Sequence, residues 1–379
     1  MQRRAFVRGG LASALLAPGV LSFPDLAHAT SRRGGAAGTQ ADPIRLSSNE
    51  NPLGIPDSAR DAIIDALSLG HRYPGLNGRV AARIAEVNGV QPSNIVLGNG
   101  SAEILQITAQ AVSVGAGRAR VVIADPTFEQ IERYALAMGA DVVKVPLLPD
   151  HTHDIARMNA AALAATGPVL VFICNPNNPT GTITPCDALA QWIESAPAHH
   201  WFLVDEAYLE FATDPTYRAF VDEATSRPNV VVSRTLSKIY GLAGIRLGYA
   251  IADTATSRRL NEFVSATNIN HLAAAATLAA LDDDDYVRRS LATNADGLRV
   301  AYQTLDELGL EYLPSHANFV LHRITGELPT YIARMRAEGV QVGRAFPPMT
   351  QWNRVSIGVP AEMAQWSEAL RTLRRRGHV

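Results

Sequence analysis

The chain has 379 residues, 47% of them hydrophobic and 18% charged, and a formal net charge of -2. That length can bury a large core and suits two domains better than one. The near-neutral balance offers no basic field for nucleic acid and no acidic tail. Cys174 and Cys186, the two cysteines, make neither a disulfide framework nor a metal-ligand spacing, and read as small core or loop thiols. No metal site is expected.

The amino terminus reads as an address. Met1–Gly10 carries Arg3, Arg4 and Arg8, Leu11–Phe23 is apolar and uncharged, and Ala27-His28-Ala29 fits a small-residue cleavage site. Leu11–Phe23 is too short for the ~20 residues that span a bilayer, so no stable membrane span is expected. Arg3-Arg4 before Ala5-Phe6-Val7 is similar to a twin-arginine signal. Residues 1–29 are expected to be a cleavable signal peptide and 30–41 a flexible linker. The protein is then periplasmic or exported, or cytoplasmic if the signal is not used.

Downstream, short apolar runs alternate with amphipathic stretches. The strand candidates are Asn94–Leu97, Val121–Asp125, Asp141–Val145, Val169–Cys174, Trp201–Asp205, Val230–Arg234 and Gly248–Ala252. Ala102–Val114, Phe128–Ala137 and Pro185–Ser195 read as helices between them. Near-continuous β-branched runs separated by helices argue for a parallel sheet covered on both faces, with ligands beyond the carboxyl ends of its strands. From Asp283 the pattern changes to a long helix ending near Leu308. Strand-like Asn318–His322 and Val340–Val342 flank a helix at Thr330–Glu338, and Val355–Gly358 precedes a terminal helix, Ala361–Arg375. Residues 71–282 and 283–379 are expected to be a large and a small α/β domain.

Basic residues are used unevenly. Of 34, 32 are Arg and two are Lys, Lys144 and Lys238. An amine can lose its proton and attack a carbonyl, whereas a guanidinium stays protonated. Lys144 sits in the strand-like Asp141–Pro146 and is expected to face solvent. Lys238 lies in Ser233-Arg-Thr-Leu-Ser-Lys-Ile-Tyr-Gly-Leu-Ala-Gly-Ile-Arg246, after a strand. Three other strand ends are polar: Cys174-Asn-Pro-Asn-Asn-Pro-Thr-Gly181, Val204-Asp-Glu-Ala-Tyr208, and Gly98-Asn-Gly-Ser-Ala-Glu103, which opens a helix. Each taken alone is a turn, a cap or a generic anion nest. Their joint order and spacing are specific.

On those four segments the chain resembles the class I/II aminotransferases of pyridoxal-phosphate fold type I, and within them the histidinol-phosphate aminotransferase family, over residues 42–375. The resemblance implies the aspartate-aminotransferase-like α/β fold, a pyridoxal 5'-phosphate cofactor and a homodimer with shared active sites. It implies that Lys238 carries the cofactor as an imine and moves the substrate proton. Asp205 would keep the pyridine nitrogen protonated, with Tyr208 and Asn178 on the phenolic oxygen. Ser101, Ala102, Thr235, Ser237 and Arg246 would hold the phosphate, with Tyr73 reaching the neighbouring subunit's phosphate. Phe128 would stack on the ring, where much of the family has Tyr. Arg354, in Asn-Arg-Val-Ser-Ile-Gly, matches the arginine that clamps the substrate carboxylate.

Ser47-Ser-Asn-Glu-Asn-Pro-Leu-Gly54 resembles the family's segment that closes over the substrate. This makes Asn51 a substrate-site candidate and 42–70 a segment packed on the small domain. Arg344, in Val342-Gly-Arg-Ala-Phe-Pro347, matches a substrate-binding arginine but is shifted by one residue and lacks the following proline. In a strand such a slip turns a side chain to the other face unless a bulge corrects it.

The implied reaction is transamination between an amino acid or amino-alcohol phosphate of the histidinol-phosphate type and a 2-oxo acid such as 2-oxoglutarate. Histidine biosynthesis is the implied setting. Two other activities share the resemblance, a threonine-phosphate decarboxylase-like lyase and an aromatic amino-acid aminotransferase. Intact Lys238, Asp205 and Arg246 weigh against a non-enzymatic binding module.

Overall fold

A computed structural model describes residues 37–114 and 117–379. The expected signal peptide and most of the expected linker lie outside the described residues.

Among the described residues, twelve strands form three sheets. β1 is Ile44–Leu46, β2 Ile95–Gly98, β3 Arg120–Asp125, β4 Asp141–Pro146, β5 Val169–Cys174 and β6 His200–Asp205. β7 is Val230–Thr235, β8 Gly248–Ile251, β9 Tyr312–Leu313, β10 Phe319–Arg323, β11 Val340–Val342 and β12 Trp352–Ser356. The central sheet has the order β2-β8-β7-β6-β5-β3-β4. Only β8 in it runs antiparallel to its neighbours, so the sheet is mostly parallel, as the α/β reading expects.

The apolar runs explain the layering. Side chains alternate faces along a strand. Val169, Val171, Ile173, Phe202, Val204, Val230 and Val232 pack into one buried cluster, while Leu170, Phe172, Leu203 and Val231 pack into another on the opposite face. All six residues of β5 are buried. A strand covered on both faces has no polar side to present, which is why its sequence reads as one continuous run. Helices Ser101–Ser113 and Cys186–Ser195 supply buried side chains to the two clusters.

After β8, helices Thr254–Asn261 and His271–Ala280 lead to the long helix Asp284–Leu308. Their starts are fixed by side chains that accept from free backbone N–H groups: Asp253, Asn270 and Asp283. β9, β10 and β12 form an antiparallel sheet. β1, which the sequence pattern does not reveal, pairs in parallel with β11. The 44–46 stretch is thereby tied to the carboxyl-terminal third and leads directly into residues 47–54. Cys174 and Cys186 are buried free thiols.

Candidate active site

Four strand ends converge on one edge of the central sheet. β5, β6 and β7 are parallel, so Cys174, Asp205 and Thr235 all stand at carboxyl ends. Gly98 pairs with Gly248, which pairs in turn with Thr235, so the loop after β2 reaches the same edge. Gly248 has to be glycine: a Cβ there would strike the backbone N of Ser101 and the carbonyl of Arg234.

Asp205 is 2% exposed, and its Oδ1 has no hydrogen-bond partner among the described residues. Burial pushes its carboxyl up to about 7, against the opposing pull of Lys238 and the Ala207 N–H. Lys238 is half-buried, and its Nζ donates to the carbonyl of Asn49 at 3.1 Å. Burial, then Arg354 and Arg246, lowers its amine to about 8, with Glu50 and Asp205 opposing. A lysine near 8 is deprotonated often enough near neutral pH to act as base or nucleophile.

A hydrogen-bonded chain runs across the site from Tyr208. Its hydroxyl accepts from Asn49 Nδ2 at 3.0 Å and from Asn178 Nδ2 at 3.3 Å. Burial raises the phenol well above its usual range. Asn178 Oδ1 accepts from Arg354 Nη1 at 2.7 Å, and Arg354 Nη2 donates to Ser47 O at 2.8 Å. Arg354 is 6% exposed, and its Nε has no partner among the described residues. Its guanidinium faces the rings of Phe346 at 4.7 Å and Phe319 at 5.4 Å. Desolvation lowers it to about 10, so it keeps its charge at neutral pH.

At the other end lies an anion cradle. Gly100 caps helix Ser101–Ser113 with φ 78, and a Cβ on it would collide with the Arg246 guanidinium. That close approach sets a cation beside a helix amino terminus with unpaired N–H groups. Arg246 is itself in the left-handed region at φ 67 and is anchored by Ala243 O at 2.8 Å. Thr235 Oγ1 accepts from the Ser237 N–H at 3.1 Å, and both side chains are nearly buried.

The family model described as "Aminotransferase class I and II" matches residues 41–370. The chain belongs to this family. It is 41% identical to histidinol-phosphate aminotransferase 2 of Ralstonia nicotianae over 86% of this chain and 87% of that one. It is 39% identical to histidinol-phosphate aminotransferase 1 of Cupriavidus pinatubonensis over 87% and 88%. The crystal structure of Sinorhizobium meliloti histidinol-phosphate aminotransferase in complex with pyridoxal-5'-phosphate superposes with a TM-score of 0.81. That match has 27% identity and covers 88% of this chain and 91% of that one.

This aminotransferase uses pyridoxal phosphate, and its own residues fit that group. The unpartnered Asp205 oxygen suits a ring N–H, Lys238 is the amine, and the Gly100–Arg246 cradle suits a phosphate. Ala102 lies in the first turn of that helix, and Phe128 is half-buried just after β3.

One expectation changes. Asn51 is not placed as a substrate ligand. Its Nδ2 donates to the carbonyls of Lys238 (3.3 Å) and Ile239 (2.8 Å) and to Ser290 Oγ (2.9 Å), and its Oδ1 accepts from the Leu53 N–H. Those bonds commit the amide hydrogens to the loop that carries Lys238 and to Ser290. Asn49 stands at the site instead. Its φ of 53 turns the segment inward, its N–H donates to Ser356 Oγ, and its Oδ1 accepts from the same hydroxyl. Two motif asparagines two residues apart gave no local sign of which one turns inward. Arg344 lies beyond the end of β11, where strand alternation no longer decides its direction. It pairs with Glu129, and its guanidinium lies 4.4 Å from the Phe346 ring that Arg354 also faces. Phe346 and Asn318 are further site residues that sequence reasoning missed. Asn318 Nδ2 holds the Asn49 carbonyl at 3.0 Å. Tyr73 is 86% exposed in the single chain.

Proposed function

We propose that this aminotransferase moves an amino group between a donor with an anionic terminus, of the histidinol-phosphate type, and a 2-oxo acid such as 2-oxoglutarate. The observation that carries this reading is the pair of arginines on one aromatic wall: Arg354 and Arg344 lie 4.7 and 4.4 Å from the Phe346 ring. One phosphate dianion, or the two carboxylates of an oxo diacid, calls for two cations. The relatives named for histidinol phosphate support the same donor class.

When bound, the cofactor supplies an aldehyde carbon for amine exchange and a protonated ring that takes up the electron pair left by the departing α-proton. Asp205 holds the ring nitrogen's proton, since its free oxygen is buried and acceptor-only when ionised. Lys238 takes and returns the α-proton at Nζ, with the Asn49 carbonyl orienting the amine. Tyr208 donates its hydroxyl proton outward while Asn49 and Asn178 donate to its oxygen. Ser101, Ala102, Thr235, Ser237 and Arg246 fix the phosphate end, and Phe128 covers the ring. Arg354 clamps the donor or acceptor carboxylate.

The deciding experiment adds single donors to the yellow loaded enzyme with no oxo acid present. Stoichiometric loss of the yellow colour with histidinol phosphate supports the reading. Persistence of the colour while carbon dioxide and amine accumulate from a carboxylate-bearing donor makes the protein a lyase and overturns it.

Tyr73 belongs to a homodimer in this reading and reaches the neighbouring subunit's phosphate. Its 86% exposure in the single chain is compatible with such a reach. Sedimentation showing only monomers of the active enzyme would refute it. Export through the Arg3-Arg4 signal is the proposed route, and the amino-terminal sequence of the mature protein tests it. Among the described residues no helix is long and apolar enough to cross a membrane.

A further inference from the structure

Arg344 and Glu129 meet beside Phe346, the ring that Arg344 shares with Arg354. Arg344 Nη2 stands 2.8 Å from Glu129 Oε1, and Nη1 donates to Ala345 O at 2.8 Å. Glu129 comes from the loop after β3, one residue beyond Phe128, and Arg344 from the loop after β11. Glu129 also lines a cavity of about 210 Å³, together with Asp125, Glu132, Lys144 and Phe346. Asp125 and Glu132 already share Lys144, at 3.2 and 3.3 Å. Arg344 is therefore the cation that answers Glu129.

We propose that Glu129 determines donor specificity in this aminotransferase by holding Arg344 as an internal stand-in for a donor's anionic terminus. A donor ending in phosphate or carboxylate takes Arg344 by displacing Glu129. A donor ending in an uncharged group binds with the Glu129–Arg344 pair closed. Glu129 is thus a positioning residue that acts through Arg344. The inference rests on the donor class proposed above.

Three facts support it. Arg344 and Arg354 share one aromatic wall, so an unanswered Arg344 would place two cations around Phe346. Arg354 feels both partners with opposite sign, Arg344 lowering its proton affinity and Glu129 raising it. The pair is half-open to solvent, with side chains 46% and 38% exposed. An exposed ion pair of this kind changes affinity by about fivefold at most, small enough for a substrate anion to break.

The test uses the loaded enzyme and paired donors that differ in one anionic group: histidinol phosphate against histidinol, and glutamate against glutamine. The readout is kcat/KM for loss of the yellow colour. Glu129→Gln should raise the anionic-to-neutral ratio by about fivefold, through KM and not kcat, and Glu129→Asp should return it toward wild type. Arg344→Gln should lower the ratio, and adding Glu129→Gln to it should change nothing further. Equal shifts for both members of each pair, or an effect of Glu129→Gln that survives in the Arg344→Gln background, would overturn the proposal. If the unaltered enzyme converts no member of either pair, the donor-class reading itself falls, and this inference with it.

Discussion

The two halves of the site are built differently. The cofactor half stands on the ends of β5, β6 and β7, and Asp205, Tyr208 and Asn178 are all less than a tenth exposed there. The substrate half gathers residues 47–51, Arg344, Phe346 and Arg354 from three stretches of chain, and Arg344 is exposed. Central strands fixed by ladders on both sides leave no freedom in where their carboxyl ends point. Residues 47–51 and 344–346 lie outside such ladders and are held in part by side-chain bonds such as Asn49 to Ser356. Chemistry therefore sits on the rigid half and specificity on the adjustable one.

Mutations can break this contrast in order of size. Lys238→Ala should remove turnover by about 10⁴-fold, measured as single-turnover amine exchange, while the loaded protein still folds. Ordinary activity in that variant would end the central assignment.

Asp205→Asn should cost about 10²–10³-fold in kcat. It also carries a pH signature. Asp205's folded carboxyl lies near 7, raised from 3.8 by burial. Its stabilising contribution is therefore full below the unfolded value and is lost as pH rises from about 4 to about 7. Without cofactor, Asp205→Asn should melt higher than the parent at pH 8 and no higher at pH 4. A difference independent of pH would show that the carboxylate is not buried as described.

Arg354→Gln removes a buried, charge-assisted donor and should lower kcat/KM for carboxylate substrates by about 10–100-fold. If KM for carboxylate and carboxylate-free donors changed alike, the clamp assignment would be wrong. The smallest effect is expected from Asn49→Ala, which deletes one of two donors to Tyr208. Rate should fall about tenfold, and the Asn178→Ala and Asn49→Ala effects should be non-additive because both act on one hydroxyl. Simple additivity would place Asn49 outside the network.

Much of the rigid half was legible from local pattern. The uninterrupted Val169–Cys174 run signals a strand covered on both faces. Lys238 stands out because it is one of only two lysines among 34 basic residues. Asp205 ends a strand and Tyr208 follows it three residues on. The short β1 and the antiparallel direction of β8 were not legible, because three or four residues carry too little periodicity and direction leaves no mark on composition.

The sequence by itself determined the parallel α/β core, the strand ends that carry Lys238, Asp205 and Arg246, and the family they belong to, since all of these depend on short-range alternation and spacing. Only the tertiary structure decided that Asn49 and not Asn51 turns toward Tyr208, and that Arg344 ends on Glu129 beside the wall it shares with Arg354. Those outcomes depend on contacts between segments up to about three hundred residues apart, such as Asn49 with Ser356, and no local pattern encodes which of two nearby polar side chains will meet a partner that distant.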